Sequence, residues 1–448
     1  MSVAIAARKR LSIKQVALAS LIGTSIEWYD FYLYGTAAAL VFNKLFFPTL
    51  TPLVGQLAAF ATFWVAFIGR PLGGIFFGHF GDRIGRKNIL ILTLLIMGLS
   101  TFLIGCLPTY QTIGMYAPLL LLALRFFQGF AVGGEWGGAV LLVTEHAPVG
   151  KRGFFGSWPQ MGSAVGLVFS SLLFSFAVTS FPRSQFLTIG WRIPFLVSIL
   201  LVLLGLVIRL KIAETPAFER VKEQRAIVKI PIFQVLRKDM ENVLLAGGIF
   251  FLPSGGFYIF VTFIISYGKN VLKMPGSIFL NATLVSAIIL LVTLPLAGIL
   301  SDHIGRRALC LAGGIFTVVM TFPIFWLIDS KSVVLITLAL CLFQFGCGLV
   351  YGPLAAFFTE LFGANVRYSG ASLGYQAVSM LAGGLAPFIA TALLNVDHNA
   401  SWPICIYVIL MALITIVSSY LAPETHQLVP AEAVPVNVLV ETSLPFDT

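Results

Sequence analysis

Apolar runs, each about as long as a bilayer is thick, alternate with short polar stretches along almost the whole chain. A helix crossing the hydrocarbon core needs roughly 20 mostly apolar residues. Twelve such runs can be marked, near 15–42, 54–80, 88–107, 115–143, 153–178, 191–211, 241–267, 277–301, 308–328, 333–361, 369–395 and 401–421. The longest polar interruption, 212–240, falls after the sixth run, and 422–448 follows the last. The pattern also repeats. GHFGDRIGRK at 78–87 returns as GILSDHIGRR at 298–307, and TEHAPVGKRG at 144–153 is echoed by TELFGANVRYSG at 359–370. The prediction is an all-α integral membrane protein with twelve transmembrane helices in two pseudo-symmetric six-helix halves. The expected division is a leader 1–14, a first bundle 15–211, a charged linker 212–240, a second bundle 241–421 and a disordered tail 422–448.

Composition agrees. Of 448 residues, 58% are hydrophobic and 10% charged, with a mean hydropathy of +0.96; soluble domains carry about 25% charged residues. The net charge of +10 invites a nucleic-acid reading. That is set aside, because the basic residues cluster in loops, as orientation signals do. With the N-terminus inside, 20 Lys and Arg fall on the inner side and 6 on the outer, which puts both termini in the cytoplasm. The five cysteines are scattered through apolar runs without a CxxC and read as packing residues. The first apolar run is too long and too acidic for a cleaved signal peptide.

Five charged residues sit inside runs of the first half: Glu27, Asp30, Arg70, Arg125 and Glu135. Unpaired in lipid, they would cost on the order of 12–17 kcal/mol together. The interiors of the seventh, eighth, tenth and eleventh runs carry no charge. A packing role would be needed in both halves, whereas a coupling site is needed in one. At a rise of about 1.5 Å per residue, Glu27, Arg70 and Glu135 fall near one level, with Asp30 higher and Arg125 higher still. Burial disfavours a charged carboxylate and a nearby Arg favours it. A carboxylate balanced between the two can take up a proton when its partner moves. No His lies mid-run, so Asp30 or Glu27 is the expected proton carrier, with Arg125 and Glu135 as partners. Arg70 is the candidate anchor for a substrate carboxylate, through a two-pronged hydrogen bond; neutralising Glu27 or Glu135 remains the competing role. Tyr34, Trp136, Gln160, Tyr258, Tyr351, Tyr375 and Gln376 are candidate substrate contacts, with Asn281 and Gln344 as further polar residues within runs. Tyr258 and Tyr351 are favoured because PSGG (253–256) and YGP (351–353) are expected to break their helices.

The motifs GHFGDRIGRK and RFFQG (125–129) resemble the major facilitator superfamily over residues 10–425. GTSIEWYDFYLYG, GGEWGGAVLLVTEHAP, GWRIPF and ETPAFE resemble its metabolite:proton symporters, importers of shikimate, 2-oxoglutarate, citrate, proline and betaine. The resemblance implies proton-coupled uptake by alternating access and an Asp30–Arg125 pair. The fifth run lacks the Gly-Pro pattern of the superfamily's antiporters, which favours symport. Asp82 and Asp302 are expected to meet the N-terminal end of a helix from the opposite half. Arg83, Arg86, Lys87, Arg306 and Arg307 are expected to pair with Glu145 or Glu360, so that gating contacts form on one side of the cycle and break on the other. His303, standing where the first copy has Arg83, is expected to weaken the second copy. The chain is then an inner-membrane monomer with no cofactor beyond the coupling proton, taking a small organic acid or zwitterion. Export of toxic molecules and a non-transporting sensor stay open. A membrane enzyme is disfavoured by the lack of HExxH and GxGD motifs.

Overall fold

The computed structural model describes residues 12–426 apart from 85, 134, 212–234, 236, 364 and 365. Most of the linker and of the tail therefore lies outside the described residues. Among the described residues there are twelve long helical spans: α1 (Ile13–Ala37, continued by a wider π turn, Ala38–Phe42, and Asn43–Leu45), α2 (Pro52–Ile84), α3 (Arg86–Cys106), α4 (Tyr116–His146), α5 (Arg152–Ser180), α6 (Ile193–Lys211), α7 (Met240–Asn270), α8 (Gly276–Ile304), α9 (Arg306–Asp329), α10 (Val333–Leu361), α11 (Arg367–Leu393) and α12 (Trp402–Leu421). Each begins and ends within a few residues of its apolar run. There is no strand among the described residues.

The local causes are simple. Ser12 and Gln15 cap α1 reciprocally, each side chain bonding the other's backbone N–H. Proline inside α2, α5, α7, α8, α9 and α10 is tolerated because neighbouring helices re-satisfy the freed backbone. Two expected helix breaks are corrected here. YGP lies in unbroken α-helix, and PSGG stays helical, the backbone widening into a π turn only at Ile259–Phe263. The π turns of α1 and α7 occupy matching places in the two halves.

The halves meet along α5 against α8 and α10, and along α2 and α4 against α11. The apolar window of α7 is 94% buried, against 39% in α6 and α12, so α7 lies at the centre while those two face outward. Leu203, Leu204, Leu244, Ile288 and Val319 are exposed, as a lipid-facing surface requires.

Candidate transport site

Helix α1 brings the unusual side chains inward. Glu27, Trp28, Asp30, Phe31, Tyr32 and Tyr34 are all buried. Phe31 lies between two cations: the Arg70 guanidinium carbon is 4.0 Å from its ring centroid and that of Arg125 is 4.4 Å. Arg70 also lies over Phe67 at 4.7 Å and Arg125 over Tyr34 at 4.1 Å. Such contacts are each worth about 0.5–2 kcal/mol, more when desolvated. They let two positive charges share a dry interior.

The expected Asp30–Arg125 pair is not a direct one. Arg125 Nη1 donates to Gln128 Oε1 at 2.5 Å. Both Asp30 oxygens, and Nε and Nη2 of Arg125, are buried without hydrogen-bond partners, although the two residues are electrostatic neighbours. Glu135 accepts from Thr93 of α3 at 2.5 Å. Glu27 and Arg70 do share a level: both act electrostatically on Tyr258 and Tyr375 of the opposite half.

Between the halves is a cavity of about 20 Å³ lined by residues including Trp28, Tyr32, Ser163, Tyr258, Tyr351 and Ser379. That is room for about one water, so the site is closed down. Two of its lining residues carry buried polar atoms without hydrogen-bond partners, Trp28 Nε1 and Tyr258 OH; outside the lining the same holds for Nε and Nη2 of Arg70, whose guanidinium carbon is 5.7 Å from the Trp28 ring, and for Gln160 Nε2 and the acceptor Gln376 Oε1. Below it, towards the end carrying the termini, Trp136 stacks on Tyr375 at 3.7 Å and 12°, and Tyr375 on Phe250 at 4.2 Å. Trp136 donates to Gln160 at 3.2 Å, Gln376 donates to the Gly133 carbonyl at 3.2 Å, and the Tyr351 and Tyr375 hydroxyls are 3.5 Å apart. Tyr34 is a correction: its hydroxyl donates to Thr62 at 2.6 Å and its ring supports Arg125, so it belongs to the charge cluster and not to the cavity wall. Asn281 bonds Ser175 at 2.7 Å across the halves, whereas both polar atoms of Gln344 are buried without partners. The sequence reading missed Trp28, Phe31 and Tyr32, although Phe31 stands one helical turn from Glu27 and shares its face.

At the end carrying the termini, Asp302 accepts from the backbone N–H of Gly153 (2.8 Å) and Phe154 (2.9 Å), the first turn of α5 in the other half. Arg306 braces Asp302 at 2.7 Å and Glu360 at 3.3 Å. Arg367 reaches Glu145 across the halves at 3.8 Å. A Cβ on Gly153 would come within 2.4 Å of the Gly298 carbonyl, so the two backbones touch. Among the described residues His303 joins neither contact. The side chains of Asp82, Arg83, Arg86 and Lys87 lie outside the described residues. At the far end, Lys269 donates to the Leu40 carbonyl at 2.5 Å, and midway along the helices Trp64 donates to the Met380 carbonyl at 2.9 Å, each joining the halves. Contacts among the described residues thus join the halves at both ends.

The tail, expected to be disordered from 422, is ordered through His426. Glu424 caps α9, accepting from the backbone N–H of Arg306 (2.9 Å) and Arg307 (3.1 Å). Burial pushes its carboxyl up, but these donors and His426 outweigh that and hold it below the usual carboxylate range. Gly305, at φ 104, gives the carboxylate room. GASLG (370–374) matches the GxSxG spacing of serine hydrolases, which was overlooked in the sequence. It lies inside α11 and not on a strand-to-helix turn, with Ser372 packed at Gly137.

Comparison with known proteins settles the family. The model for the Major Facilitator Superfamily matches residues 20–387. The chain belongs to that superfamily. It is 41% identical over 417 residues to the "Shikimate transporter" of Escherichia coli (strain K12), covering 92% of this chain and 95% of that one. It is 34% identical over 425 residues to the "Proline/betaine transporter" of the same organism, covering 92% and 84%. Among solved structures, the D-xylose-proton symporter superposes with a TM-score of 0.73 at 19% identity, covering 93% of this chain and 99% of that one. The fold is therefore the superfamily's two-half architecture, and the protein is a multi-pass membrane transporter and not an enzyme.

Proposed function

We propose that this transporter imports a small carboxylate-bearing metabolite together with protons, by alternating exposure of the central cavity. One observation carries the reading: the cavity wall holds two unsatisfied polar groups, Trp28 Nε1 and Tyr258 OH, and beside Trp28 lies the Arg70 guanidinium with two buried donors unpartnered. Buried donors without partners are costly at about 1–3 kcal/mol each. They are offset when an acceptor-rich solute arrives, and a carboxylate matches the Arg70 fork. The names of the two relatives, one an acid and the other zwitterions, are consistent with that class. Asp30 is the proton carrier in this reading, being a buried carboxyl beside Arg125 and close to the solute site. On the positive-inside rule the end carrying the termini faces the cytoplasm of an inner membrane. Each chain holds a whole site, so it works as a monomer.

The energetics fit one proton. A charge moving through 100 mV releases about 2.3 kcal/mol, and a pH difference of one unit adds about 1.4 kcal/mol. A zwitterion or neutral solute uses both terms; a monoanion entering with one proton loses the first. The test is a thermal-shift screen of shikimate-like acids, other small carboxylates and betaines on purified protein at two pH values. At least one carboxylate is expected to stabilise the protein, and Arg70→Lys to weaken it by tenfold or so, because Lys keeps the charge but loses the fork. Unchanged affinity in Arg70→Lys removes the anchor.

A further inference from the structure

The mechanism above leaves one well-ordered group unused. Gln128 lies one helical turn beyond Arg125 on α4 and is fully buried. Its Oε1 accepts from Arg125 Nη1, and its Nε2 donates to Thr101 Oγ1 at 2.7 Å. Thr101 in turn donates to the Met97 carbonyl at 3.1 Å. The amide is thus fixed from both ends, and its oxygen can face only the guanidinium. Asp30 is 1% exposed and lies beside Thr101, which acts on its carboxyl, and beside Arg125, with neither oxygen in a well-formed hydrogen bond. Two guanidinium nitrogens are free to meet it but do not. An ionised carboxylate left unpaired in such a place is far more costly than a neutral acid.

The geometry points to Gln128 as the positioning residue that holds Arg125 aside while Asp30 carries the proton. When Asp30 gives up its proton, Arg125 turns its two free nitrogens onto the carboxylate and leaves Gln128. When Asp30 is protonated again, the guanidinium returns to the amide oxygen. Only the proton is transferred, between water and the Asp30 carboxyl, and no other bond changes. The inference rests on the proton-coupling reading of Asp30. Its consequence is specific: Gln128 stabilises only the protonated state, so its loss must lower the pH at which Asp30 is half-protonated. The other groups facing the pair are Thr101 of α3, Tyr29 and Tyr34 of α1, Arg70 of α2 and Tyr258 of α7, with Glu27 acting on Tyr258, and none of them is altered in the test.

No solute is needed to test it. Infrared spectroscopy of the purified protein in lipid follows the carbonyl band of protonated carboxylic acids against pH, and Asp30→Asn identifies the part owed to Asp30. In Gln128→Met, which keeps the volume and removes the amide, the midpoint of that band is expected to move about one pH unit to the acid side. Gln128→Leu, a second replacement that removes the amide, is expected to move it the same way, and it serves if Gln128→Met does not fold. An Asp30 band whose midpoint is unmoved in the folded variants overturns the role of Gln128 and leaves coupling at Asp30 standing. The absence at every pH of any band removed by Asp30→Asn overturns the coupling reading itself, and this inference with it.

Discussion

The two halves share one fold and divide the work. In the interior of the first, α1, α2 and α4 carry Glu27, Asp30, Arg70, Arg125 and Glu135, all buried. The second supplies Tyr258, Tyr351, Tyr375 and Gln376 to the interior. It keeps its charges for the two ends: Lys269 and Asp329 at the far end, and at the end carrying the termini Asp302, Arg306, Glu360 and Glu424 in one network. A rocking pair needs ionisable groups on one face only, provided the other face offers neutral rings and hydroxyls to close against it. It also needs a latch that both halves touch, and the second half supplies it by placing Asp302 on the first turn of α5. Duplication gave the scaffold twice, and the chemistry was then placed once.

The largest break in this division is expected at Asp30. Asp30→Asn should abolish accumulation driven by a pH gradient while preserving exchange of the solute found by thermal shift, since the rocking itself does not need the proton. Vesicle uptake compared with counterflow reads both, and retained acid-driven accumulation would put the coupling site elsewhere. Next comes the latch. Asp302→Asn removes a charged cap from two N–H groups, worth about 1–3 kcal/mol, and should shift the population towards opening at that end by roughly tenfold. Labelling of a reporter cysteine between α5 and α8 measures this; an unchanged rate would mean that the Gly153–Gly298 contact holds the halves by itself.

The smallest effect is expected at Glu424. Its carboxyl is held below the ordinary range, so its contribution is present at neutral pH and is lost as pH falls through the depressed value. Glu424→Gln should cost about 1 kcal/mol as a lost helix cap. The gap in melting temperature between wild type and variant should be full at pH 7 and close below about pH 4. A gap that persists in acid would assign the effect to shape and not to charge.

The sequence carried the spans and the latch well, because both are local. Hydropathy marks a helix from its own residues, and Asp302 sits in a motif that appears twice. The buried acids and arginines were equally plain, since a charge inside an apolar run needs a reason. Their partners were not. The Asp30–Arg125 pair was read from family habit, but Gln128, three residues from Arg125 within the quoted RFFQG, takes the guanidinium instead. Phe31 is hidden because an aromatic in an apolar run looks like packing until two other helices, α2 and α4, each bring a cation to its ring. Glu424 was lost to composition: the polar tail reads as unstructured, and nothing local marks a cap for a helix more than a hundred residues earlier. Helix breaks at PSGG and YGP were expected from residue type alone, whereas neighbouring helices keep both segments wound.

The stack of Trp136 on Tyr375 gives the molecule an optical property. One ring belongs to each half, and parting the halves at that end must pull them from 3.7 Å contact. Indole emission responds to such a change, so the protein carries an intrinsic fluorescent gauge of its own gate, readable without a label.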